Sequence, residues 1–81
     1  MTTYDPEADA AYIPIGPTPA PGEVEAQLHD LHNPQGDGEI ILDFDKPGRL
    51  IGVEVLEAKT LLRPEVLAGA VLPGSAAEGD E

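Results

Sequence analysis

Apolar residues along this 81-residue chain alternate with polar ones more often than they recur at helical spacing. Ala10 to Ile15 reads as a strand, with Ala11, Ile13 and Ile15 on one face and Ala10, Tyr12 and Pro14 on the other. Two apolar runs, Ile40-Ile41-Leu42 and Leu50-Ile51-Gly52-Val53, flank Asp45-Lys46-Pro47-Gly48-Arg49, and this predicts a hairpin. Pro47 and Gly48 suit the two central positions of a type II turn, because glycine supplies the positive φ that the second one needs. Such a turn sets Asp45 opposite Leu50, Phe44 opposite Ile51, Leu42 opposite Val53 and Ile40 opposite Val55. The large apolar side chains then share one face, and a one-residue slip would pair Phe44 with Leu50 and scatter them.

The remaining segments are shorter. Asp5-Pro6 followed by acids fits a one-turn helical cap in which the Asp5 carboxylate accepts backbone N–H groups. Gly16 to Gly22, rich in proline, predicts a loop of polyproline II character, and His32 to Gly38 a second loop. Glu23 to Leu31 carries both periods: Val24, Ala26 and Leu28 alternate, whereas Val24, Leu28 and Leu31 lie at helical spacing. Its proline and glycine flanks favour a strand. Glu57 to Arg63 predicts a short helix with Ala58, Leu61 and Leu62 in one stripe, and Pro64 opens a further turn or two. Pro73-Gly74 should end the order. The expected architecture is an α+β domain over 1–72, an antiparallel sheet of about four or five strands with one short C-terminal helix. A disordered acidic tail is expected over 73–81.

Composition narrows the function classes. Aromatics are 4% and Trp is absent, so the core must be built from Ile, Val, Leu and Ala. A domain of this size buries only about 60% of its unfolded surface, so apolar area is left over. Sixteen acids stand against four bases, for a net charge of -12. Nucleic-acid binding and adsorption to anionic lipid both draw on Lys and Arg, so neither is expected. The charge suits solubility, a basic protein partner or a cation. Cysteine is absent, which removes disulfides and thiolate metal sites. With no basic start, no apolar leader and no run near the ~18 residues of a membrane span, a cytoplasmic protein is expected.

Candidate chemistry is sparse. Asp43, Asp45 and Glu54 are the best site residues, as weak candidates for metal binding or for contact with a basic partner. In the hairpin register Asp43 faces Gly52 and Glu54 is its diagonal neighbour, about 7–8 Å away, within reach of one cation or one Arg. The bland alternative, a solvated sheet face beside a turn, weighs more. From Asp43 to Glu54 the acids and Gly48 partly match a calcium loop, but Pro47 takes a liganding position and the Leu50 to Val53 strand run suits a hairpin better. His29 and His32 lack further ligands, and a turn cap explains Asp5 better than a catalytic pairing with Glu7. Gly52 reads as a packing or bulge position. No nucleophile–base constellation, phosphate loop or dinucleotide motif is visible, and neither enzyme activity nor a cofactor is expected.

Tyr4-Asp5-Pro6-Glu7-Ala8-Asp9-Ala10-Ala11-Tyr12-Ile13, with Ile41-Leu42-Asp43-Phe44-Asp45 and Gly48 to Ala58, resembles a bacterial family of small domains, domain of unknown function 2283. The resemblance spans roughly Thr3 to Leu62. It implies a compact antiparallel sheet closed by a C-terminal helix and favours a strand over Val24 to Leu28. It implies no established activity. Relatives encoded beside small toxin-like proteins suggest, by association, an acidic antitoxin-like or other partner role. Strands apolar on both faces, Tyr12 and Ile13 in one and Ile41 and Leu42 in another, add the expectation that a homo-oligomer or an unknown protein partner covers the remainder.

Self-repulsion among the acids generates a first test. Moderate NaCl should raise the thermal unfolding midpoint by screening it. A midpoint that falls with salt would mean that specific ion pairs outweigh repulsion.

Overall fold

The computed structural model describes residues 1–73. Alternation wins throughout: β1 (Thr3–Asp5), β2 (Ala10–Pro14), β3 (Ala26–Leu31), β4 (Glu39–Phe44) and β5 (Leu50–Leu56) precede two helices, α1 (Ala58–Leu61) and α2 (Pro64–Ala68). The strands form one antiparallel sheet in the order β1-β2-β5-β4-β3. The α+β class is as expected, with two short helices in place of one. Pro64 divides them. It pushes Arg63 to an extended ψ of 147° and then sits in the first turn of α2, where its missing N–H costs nothing. Among the described residues no helix is long and apolar enough to cross a membrane. Of the expected tail, 74–81 lies outside the described residues.

The β4–β5 register is the expected one along most of its length, with Ile40 opposite Val55, Leu42 opposite Val53 and Asp43 opposite Gly52. At the turn it slips, and Phe44 pairs with Leu50 rather than Ile51. The cause is the turn itself. Gly48 N–H donates to the Asp45 carbonyl at 2.9 Å, so Lys46 and Pro47 occupy the centre. Gly48 follows at φ +96°, where its lack of a Cβ is needed. Asp45 N–H then meets the Arg49 carbonyl at 2.9 Å. A three-residue loop ending on a left-handed glycine closes the turn, and a bulge further along, with Ile51 as the extra residue of β5, restores the deeper register.

Ala11, Val55 and Ala58 form the centre of the core, with Tyr4, Ile13, Val53, Leu61, Leu62 and Leu67 packed around them. Both helices therefore lie over β1, β2 and β5. Their seat is Asp9, in the turn between β1 and β2. This turn is not the expected helical cap, although Asp5 does accept the Glu7 N–H at 3.0 Å. Asp9 takes the left-handed region, φ 52°, which aspartate tolerates better than most residues. Its carbonyl accepts the Ala58 N–H at 3.0 Å, and its carboxylate accepts the Lys59 N–H at 3.0 Å and the Tyr4 hydroxyl at 2.8 Å. The residue in the N-cap position, Glu57, makes no side-chain cap bond, so Asp9 does that work from 50 residues earlier in the chain.

Asp9→Ala should therefore destabilise the fold by about 1–2 kcal/mol in urea unfolding, as loss of a cap does. Asp9→Asn should lose less, since an amide oxygen still accepts and Asn tolerates positive φ. An Asp9→Ala loss under about 0.5 kcal/mol, the range of neutral surface changes, would show that α1 does not depend on this residue.

Candidate functional site

On the sheet face away from the helices, Asp43 is 5% exposed. It sits on β4 between Gln27 of β3 and Gly52 of β5, its partners in register. The Gln27 amide donates to its Oδ1 at 2.7 Å. From β2, Tyr12 reaches over Gly52. A Cβ there would collide with the Tyr12 hydroxyl and ring, so glycine is what lets the phenol cross β5. The phenol ends beside Asp43. Burial first, then the charge of Asp43, its close approach to that carboxylate and the charge of Glu54 push the Tyr12 phenol above its ordinary value. Three strands thus contribute one small polar network, and Glu54, opposite Tyr12, borders it.

The candidates Asp43, Asp45 and Glu54 do not come together as a ligand set. Asp43 and Glu54 hold the diagonal relation expected of them, but the Tyr12 phenol crosses β5 over Gly52, on that diagonal. Asp45 belongs to the turn, where its carboxylate accepts the Arg49 N–H at 2.7 Å and faces Arg49 Nε at 3.4 Å. No group of three or more His, Asp or Glu side chains suited to a metal occurs among the described residues. His29 and His32 are engaged separately, His29 near Glu39 at 3.8 Å and His32 with the Gly38 carbonyl at 2.5 Å. Sequence reasoning did not pair Tyr12 or Gln27 with Asp43. The available signal was Gly52, a residue with no side chain in mid-strand, opposite a carboxylate.

The exposed apolar remainder lies on the helix face. Ile41 is buried and Tyr12 half-buried, so the open face is largely closed by its own side chains. On the helix face, α1 and α2 are too short to reach β3. Leu28, aligned with Leu42, is 55% exposed, and Leu31 and Leu50 are 40% and 38%. Every residue of β3 is exposed. The two sheet edges also differ. The β1 edge is covered by Val71, which accepts the Tyr4 N–H at 2.8 Å and donates to the Thr2 carbonyl at 3.1 Å. No such segment lies beside β3 among the described residues. A shallow apolar groove of about 560 Å³ lies between Tyr4, Pro6, Lys59, Leu62 and Leu67.

Fold and site define a small antiparallel-sheet domain whose buried polar network is satisfied from within and whose β3 edge is uncovered among the described residues. Residues 1–59 match the model of a family described as a protein of unknown function, DUF2283, and the chain belongs to that family. The match ends at Lys59, so it contains the whole sheet and the Asp9–Lys59 bond, and leaves α2 outside. No curated protein and no solved structure matches the chain.

The Tyr12 network makes stability depend on alkaline pH. With its pKa raised on folding, Tyr12 keeps its proton in the native state where the unfolded chain has lost it. Its contribution is complete below about pH 10 and is lost as pH rises through the higher native value. Tyr4, raised mainly by its hydrogen bond to Asp9, adds in the same sense. Tyr12→Phe should flatten the alkaline fall in stability, and Gly52→Ala, by displacing the ring, should return the phenol towards about 10 in a spectrophotometric titration. An unchanged titration in Gly52→Ala would refute the crossing of Tyr12 over Gly52.

Proposed function

We propose that this protein is a non-catalytic interaction module of the cytoplasm that binds a basic protein, in the manner of the acidic, antitoxin-like member of a pair. The observation that carries this reading is the uncovered apolar strip of Leu28, Leu31 and Leu50 within an acidic half of the molecule. The first Lys or Arg of the chain is Lys46, and Glu23, Glu25, Asp30, Asp37 and Glu39 all precede it around β3. Covering a leucine fully is worth about 1.5–3 kcal/mol, so three half-exposed ones supply a useful fraction of a binding energy. The acids select the partner and speed encounter rather than add much affinity. Cation binding is the weaker alternative, because Asp43 would have to leave Gln27 and Tyr12 to ligate.

Tagged full-length protein, pulled down from native lysate at low and high salt, tests the reading. One stoichiometric basic protein, retained at low salt and reduced at high salt, is the expected result. Nothing bound at either salt would overturn it.

A further inference from the structure

We infer that the outer edge of β3, over Ala26 to His29, is a strand-addition site for a short extended segment that is apolar at its centre and basic at both ends. The inference rests on the interaction reading above and specifies its mode. An edge strand offers a row of unpaired N–H and C=O groups, and proteins usually cover such a row or blunt it. Here the two edges are treated differently. Val71 covers β1. On β3 the ladder is interrupted only between Leu28 and Leu31, where Asp30 takes φ 66° and its N–H is accepted by Glu39 Oε2 at 3.2 Å. The stretch before the bulge keeps regular pairing to β4 on its inner side, at Ala26, Gln27 and Leu28.

Charge selects the occupant. Glu23 and Glu25 stand before this stretch and Asp30 ends it, while Leu28 lies exposed at its centre. Antiparallel pairing with a second copy, centred on Gln27 and Leu28, would set Glu25 of each copy beside Asp30 of the other. Like charges so placed repel. A basic segment reverses that sign. Its central apolar side chain would lie beside Leu28 on the helix face, and its terminal Lys or Arg would meet Glu25 and Asp30. The nearby cation Arg49 is already turned to Asp45.

The test uses the full chain and the blocked peptide Lys-Lys-Val-Thr-Val-Lys-Lys, beside an analogue N-methylated from the first Val to the second. Amide shifts and hydrogen exchange are read by NMR at low salt. Slowed exchange confined to Ala26–His29 is expected with the first peptide. The analogue, with equal charge but no strand-pairing N–H, should bind about tenfold more weakly or worse. Leu28→Lys should weaken the first peptide and leave the remaining spectrum intact. Equal binding of both peptides, or shifts placed elsewhere, would overturn strand addition and leave an acidic interaction module standing. Binding of neither would count against both readings. Concentration-dependent protection of the same amides without peptide would give the edge to a second copy and overturn the basic occupant.

Discussion

One carboxylate decides where the helices sit. A helix of four residues cannot hold itself together in water, because nucleation fixes several residues before the first bond repays the loss. Its seat must come from tertiary contacts, and Asp9 provides it by binding Tyr4 and the first N–H groups of α1 together. Ala58 is thereby pressed to complete burial against Ala11 and Val55. From that seat the short helices cover β1, β2 and β5, with Leu61 reaching Gly38 ahead of β4, and leave β3 bare. The exposed leucines of β3 are the direct complement of this arrangement.

The Tyr4 to Asp9 motif accordingly has a structural explanation. Asp5 closes the turn after β1, Pro6 lies within that turn, and Asp9 with Tyr4 anchors the helix. Asp5, the first acid of the Asp5–Glu7 pair weighed for catalysis, is occupied by backbone donors, and Asp9 by backbone and phenol donors. The second motif works similarly on the other face, where Asp43 and Gly52 form the bed for Tyr12. Polar residues of the chain that look reactive in isolation are largely satisfied by the fold itself, which moves attention from chemistry to surface.

Much of this fold was legible in the sequence because sheet alternation and core packing agree. The pairs Leu42–Val53 and Ile40–Val55 follow from period two and a tight turn. The slip at Phe44 did not, because Pro-Gly serves two turn geometries, and which residues take the centre depends on Asp45 meeting Arg49 across the turn. The candidate site was less legible. Asp43 between Leu42 and Phe44 reads as an outward-facing acid. Its burial comes from Gln27, 16 residues earlier, and from Tyr12 on a strand two places away. Long-range closure of that kind leaves no local periodicity to read. The exposed side of β3 was hidden for a related reason, since the apolar pattern gives a face but not how far a helix will extend over it.

The Asp9–Lys59 bond has a consequence for biosynthesis. The β3–β4–β5 meander consists of neighbours in the chain and can assemble from local contacts. The β1–β2 pair is made before that meander, yet its sheet partner is β5 and its helix partner begins at Ala58. Those partners exist only once β5 and Ala58 have been synthesised. The bond from Asp9 to Lys59 thus ties together segments made 50 residues apart.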